Sequence, residues 1–171
     1  MPRPYDRPET RRILSFLREI GVTVAIGPVP ESFLPGLTIR DGGLVVDPER
    51  LKWPSDLLHE AGHIAVTAPE LRPTLSSVAG DPGEEMAAIA WSWAAAAAIG
   101  LPPDLIFHDD YRAGGQSLIE NFSNGRDVGV PMLIWFGMTG GWKPKEEGRS
   151  AFPLMDRWLR QAGDYPSDAN S

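Results

Sequence analysis

The sequence predicts an α+β protein: a small antiparallel sheet or hairpin, a helix carrying two histidines, and a second, buried helix. Three observations carry this reading. Residues 37–47, LTIRDGGLVVD, set β-favouring residues on both sides of Asp41-Gly42-Gly43, a hairpin pattern. Residues 55–66, SDLLHEAGHIAV, read as a helix with His59 and His63 one turn apart. Residues 84–99, EEMAAIAWSWAAAAAI, are alanine-rich and apolar nearly all round, as a central buried helix should be.

The other elements follow in chain order. PETRRILSFLREI, residues 8–20, spaces Ile13, Leu14, Phe16, Leu17 and Ile20 along one helical face, with arginines and glutamates opposite. Gly21 suits the position after its C-terminus. VTVAIG, residues 22–27, reads as a strand, and PVPESFLPG as a proline-rich loop before the hairpin. Pro54 can open the histidine helix, and Pro69 lies just past its end. LRPTLSSVAGDPG is a loop, and the alanine-rich helix stops at Gly100. PPDLIFHDDYRAGG reads as a loop with some short strand character, and QSLIENFSNG as a short helix closed by Gly125. GVPMLIWFGM is a buried segment open to either type. KPKEEGRS is a polar loop, AFPLMDRWLRQAG a last helix and DYPSDANS a frayed tail. No repeat and no long linker divides the chain. The expectation is one domain over residues 1–162, with 163–171 as a tail.

Composition narrows the function. A chain of 171 residues that is 42% hydrophobic can build a core without covalent staples. With no cysteine, it has no disulfide, thiolate zinc site, iron–sulfur cluster or cysteine nucleophile. A net charge of −7 repels phosphate backbones, so no direct nucleic-acid contact is expected. MPRPYDRPETRR has no apolar run behind it, and no apolar stretch reaches membrane-spanning length. The expected setting is cytoplasmic, without a membrane.

The chemistry concentrates in His59-Glu60-Ala61-Gly62-His63. Histidines four apart on a helix can hold one metal ion together, and Zn²⁺ favours imidazole nitrogen in a four-coordinate site. Glu60 projects near the same face, where a carboxylate can take a proton from metal-bound water and hand it to a leaving amine. HExxH thus supplies two ligands and a base within five residues. Leu57, Leu58, Ala61, Ile64 and Ala65 remain for the core. Gly62 leaves room for a neighbouring element or a substrate to come close.

A third protein ligand is needed, and three residues qualify. Glu84 and Glu85 open the alanine-rich helix, where a carboxylate entering apolar surroundings needs a charged partner. His108, in the loop with Asp109, Asp110 and Tyr111, is the third. His108 is better suited to lining the site as an oxyanion donor, and Tyr111 could serve the same role through its phenol. Ligating histidines usually donate their other N–H to a carboxylate or carbonyl. Asp56, Asp81, Asp109 or the spare glutamate could accept it.

On these motifs the chain resembles a zincin of the gluzincin kind, and more narrowly the ImmA/IrrE family of small metallopeptidase domains. GLVVDPERLKWPSDLLHEAGHIAV and EEMAAIAWSWAAAAAIGLP fill the places of that family's strands, HE-x-G-H helix and alanine-rich second helix. The resemblance covers roughly residues 40–102. It implies a zincin-like fold, a zinc ion and hydrolysis of a peptide bond in a protein substrate. It makes the third ligand the glutamate heading the second helix, and aligned alanines place Glu85 there ahead of Glu84. It also implies a transcriptional regulator as a partner. The alternative is a non-catalytic zincin-like domain that acts as a regulatory module by binding a protein partner.

Overall fold

The computed structural model describes residues 1–31, 33–77, 81–108, 110–111 and 114–163. Residues 164–171 of the tail expected over 163–171, and the candidate outer partner Asp109, lie outside the described residues. Helix α1 spans Pro8–Glu19, with Pro8 in its first turn. It buries Ile13, Leu14, Phe16 and Leu17, the face its spacing predicts. It ends as expected at Gly21, whose φ is +90°. There Val22 N–H donates to Leu17 O and Gly21 N–H to Arg18 O, which satisfies two orphan carbonyls.

Three short strands follow: β1 Val24–Ile26, β2 Leu37–Arg40 and β3 Gly43–Val46. β2 and β3 form the predicted hairpin, with Arg40 opposite Gly43. Asp41 and Gly42, at φ of 50° and 74°, make its two-residue turn. The sheet is not purely antiparallel. Its order is β1-β3-β2, and β1 runs parallel to β3, pairing Val24 with Leu44. The reason is burial: every residue of β3 is buried, so the backbone of both its edges needs partners. The hairpin covers one edge, and the segment across the proline-rich loop covers the other.

Helix α2, Asp56–Val66, carries the HExxH sequence and packs on β2 and β3. All of its residues except His59 are buried. Its last carbonyls are fully accounted for. Thr67 donates from its hydroxyl to His63 O at 2.6 Å, and Arg72 Nε donates to Ile64 O at 3.1 Å. Arg160 donates from its backbone to Ala65 O at 2.9 Å and from Nη1 to Val66 O at 3.2 Å. Two guanidinium groups therefore sit at the negative end of the helix dipole.

Helix α3, Pro82–Ala98, starts two residues earlier than the composition of 84–99 predicts. Asp81 caps it, accepting from Gly83 N at 2.7 Å and Glu84 N at 3.1 Å. Asp81 is thus a helix cap. Helix α3 is buried along most of its length and makes its largest contact with α2. The helices meet at Gly62, where an added Cβ would lie 2.8 Å from Ala88 O and 3.2 Å from Ala88 Cα.

The remainder is short. Residues 103–106 form a turn of helix, α4 Pro103–Ile106, instead of strand. Helix α5 is Gly115–Ser123, and the apolar segment after it contains α6 Val130–Trp135. Residues 151–163 do not form the expected last helix; they run as turns and bends. Their backbone donors are used across the fold. Phe152 N–H donates to Gly141 O, Asp156 N–H to Met138 O and Arg160 N–H to Ala65 O. Trp158 presses edge-on against Phe16 at 4.9 Å and accepts from Trp91 Nε1 at 2.9 Å. Tertiary pairing outweighs the helical spacing there. Among the described residues, no helix is long and apolar enough to cross a membrane.

Gly62→Ala tests the helix contact. Alanine should gain up to about 1 kcal/mol in helix propensity. Overpacking against backbone atoms costs about 1–3 kcal/mol. The expected net result is a lower urea midpoint with an unchanged m-value. A midpoint at or above that of the parent would contradict the close approach.

Candidate metal centre

His59 and His63 occupy successive turns of α2, and Glu85 reaches them from the first turn of α3. His59 Nε2 lies 3.2 Å from Glu85 Oε1, His63 Nε2 lies 3.0 Å from Oε2, and the two Nε2 atoms are 3.1 Å apart. The rings stand nearly perpendicular, at 86°. Zn²⁺ bonds of 2.0–2.1 Å at tetrahedral angles place neighbouring donor atoms about 3.3 Å apart. The cluster has those dimensions and that donor set. Two Nε2 atoms that face each other cannot both carry a proton toward the same point, but both can offer lone pairs to a cation there. The three residues could together hold a metal ion.

Of the three candidates for the third ligand, Glu85 is the one in this cluster. Its carboxyl is held well below the usual carboxylate range, chiefly by hydrogen bonds from the two histidines. Glu84, its neighbour, donates its backbone N–H to the Asp81 cap. His108 is engaged elsewhere: its Nε2 lies 3.0 Å from Asp56 Oδ1, one turn before His59. The His108 ring stacks on Trp53 at 4.3 Å and 10°, and its Nδ1 is buried without a hydrogen-bond partner among the described residues.

Glu60 is 8% exposed. Burial pushes its carboxyl up, against the pull of His59 and His63. No hydrogen bond or ion pair to a described residue holds it. Its charge is the least compensated at the site. Burial raises Asp56 too, although the His108 bond opposes this.

Tyr111 Oη and His59 Nδ1 share a hydrogen bond of 2.6 Å. Nδ1 is the ring nitrogen on the far side from Glu85, so the phenol stands behind His59. The outer partner of a candidate ligand is thus a phenol, where the sequence offered carboxylates. Burial, then the nearby Glu85, Asp56 and Glu60, drive the Tyr111 phenol well above its usual range, so it is neutral. Trp53 and the Asp56–His108 pair were not readable as site features. The Asp56–His108 bond joins residues 52 apart in sequence, so the sequence offered each as a site candidate but not the pair.

No family model, curated protein or solved structure matches the chain. The site is therefore defined by its own geometry.

Two outcomes follow. Glu85→Gln should weaken zinc binding by more than about 100-fold in competition with a chromophoric chelator, since a ligand matters more than the outer partners worth 10–100-fold. Glu84→Gln should leave it unchanged, and equal losses would refute the assignment.

The second concerns metal-free stability. Glu60 has a raised folded-state pKa, so the folded state binds more protons than the unfolded one above the ordinary value near 4.5. Stability therefore falls as pH rises through that window. Glu60→Gln should be the more stable chain at neutral pH, with its advantage fading toward pH 4. An advantage independent of pH would show that Glu60 is not the titrating cause.

Proposed function

We propose that this chain is a zinc-dependent metallopeptidase that hydrolyses a peptide bond in a protein substrate. The observation that carries it is the closure of His59, His63 and Glu85 beside the buried Glu60, which has no side-chain partner among the described residues. The fit of two imidazoles and a carboxylate favours zinc. A bound zinc ion would acidify a water and polarise a carbonyl at its open position.

The chain's own residues do the rest. Glu60 accepts the water proton and delivers it to the leaving amine. Helices α2 and α3 fix the ligands on rigid elements, so little reorganisation accompanies reaction. The resemblance to the ImmA/IrrE family supports a zincin-like fold and makes a transcriptional regulator a fitting substrate.

One observation favours the second reading, a non-catalytic zincin-like domain that acts as a regulatory module by binding a protein partner. The two residues expected to steady an oxyanion are both occupied: His108 with Asp56, and Tyr111 with His59.

Glu60→Gln separates the readings. A peptidase should lose about 10²–10⁴-fold in turnover of a quenched fluorogenic peptide library and keep its zinc per chain. A binding module should show no turnover in either form.

A further inference from the structure

His108, Asp110 and Tyr111 belong to a short segment fastened to the N-terminal half of α2 and the residues before it. His108 stacks on Trp53 and bonds Asp56. Lys52 Nζ donates to Asp110 Oδ2 at 3.0 Å. Tyr111 reaches His59. Two backbone bonds join its described residues: Tyr111 N–H donates to His108 O at 2.9 Å, and Gly114 N–H donates to Tyr111 O at 3.0 Å. Of these side-chain fasteners, only Tyr111 touches a ligand residue.

An imidazole that gives its Nε2 lone pair to a metal carries its proton on Nδ1. With metal bound, His59 Nδ1–H donates and Tyr111 Oη accepts, and the cation strengthens that bond by polarising the ring. A carboxylate would be the usual acceptor. Here Glu85, Asp56 and Glu60 already crowd the phenol with negative charge. A fourth carboxylate would be repelled, whereas a phenol accepts without adding charge.

We infer that Tyr111 is the positioning residue for His59, and that metal binding and the seating of His108, Asp110 and Tyr111 against α2 and the residues before it stabilise each other. This rests on the metal reading above. Linkage makes the effect reciprocal: what the segment adds to metal affinity, the metal adds to the seating of the segment.

The test uses zinc alone and needs no substrate. Tyr111→Phe keeps the ring that packs edge-on against Phe107 at 5.1 Å and removes only the hydroxyl. Its zinc affinity should fall about 10–100-fold by chelator competition. A role in packing alone would leave the affinity unchanged. In the parent chain, zinc should slow hydrogen exchange at the Tyr111 and Gly114 amides, and that added protection should shrink in Tyr111→Phe. The exchange comparison on the parent stands even if the variant folds poorly. Equal zinc affinity, or exchange indifferent to zinc, overturns the coupling and leaves the metal reading intact. A parent chain that binds no zinc overturns both.

Discussion

The approach of Gly62 to Ala88 sets the geometry on which the rest of the structure depends. A side chain at Gly62 would collide with the α3 backbone, so only glycine lets the two helices come this close. Ala88 follows Glu85 by three residues and shares its face of α3. His59 and His63 flank Gly62 on α2. Seating Ala88 on Gly62 therefore carries Glu85 to the two imidazoles. The helix contact and the ligand cluster are one packing event, with the alanines of α3 keeping its surface flat enough for it.

Burial makes the cost of the site visible. Leu57, Leu58, Ala61, Ile64 and Ala65 on α2 are essentially inaccessible, and Asp56, Glu60 and His63 are buried on the same helix. Buried ionisable groups are costly unless paired. Asp56 has His108, and His63 has Glu85. Glu60 has no such partner among the described residues. A core of this quality can tolerate one uncompensated carboxylate, and a chain selected for stability alone would place a leucine or alanine there. The departure sits beside three residues that could hold a metal ion, and breaks of local rules of this kind mark candidate functional sites.

Much of this was legible in the sequence because it depends on local periodicity. The spacing of α1, the hairpin turn, the HExxH helix and the alanine-rich helix each carry their signal within a few residues. The third candidate ligand was narrowed to Glu84, Glu85 and His108, because few other residues could join the two histidines, and Glu85 is the one that reaches them. What stayed hidden depends on partners distant in sequence. The parallel pairing of β1 follows from β3 being buried along its whole length, which a four-residue strand cannot announce. The helical spacing of residues 151–163 is overridden by hydrogen bonds to Met138, Gly141 and Ala65. Leu154, which that helix would have used as a core residue, is 68% exposed. The Tyr111–His59 bond spans 52 positions, and a single loop tyrosine gives no sign of where its hydroxyl will land.

The helix that bears the histidines is held at both ends by parts of the chain remote from it. At its C-terminus, Arg72 and Arg160 take up the free carbonyls, and Arg160 also lies over the Phe136 ring at 4.0 Å. Near its N-terminus, Asp56 holds His108, and His108 is flat against Trp53. The candidate ligands His59 and His63 lie between these fastenings. A metal site needs its donors placed to within a fraction of an ångström before the ion arrives, because ordering them on binding would subtract from affinity. Clamping both ends of α2 supplies that order for His59 and His63. The close contact at Gly62 supplies it for Glu85. The mismatch between an irregular C-terminal segment and its helical sequence pattern then has a physical reason: Arg160 has to reach the end of α2, and a regular helix over 151–163 would commit the backbone N–H that caps Ala65 to a carbonyl of its own.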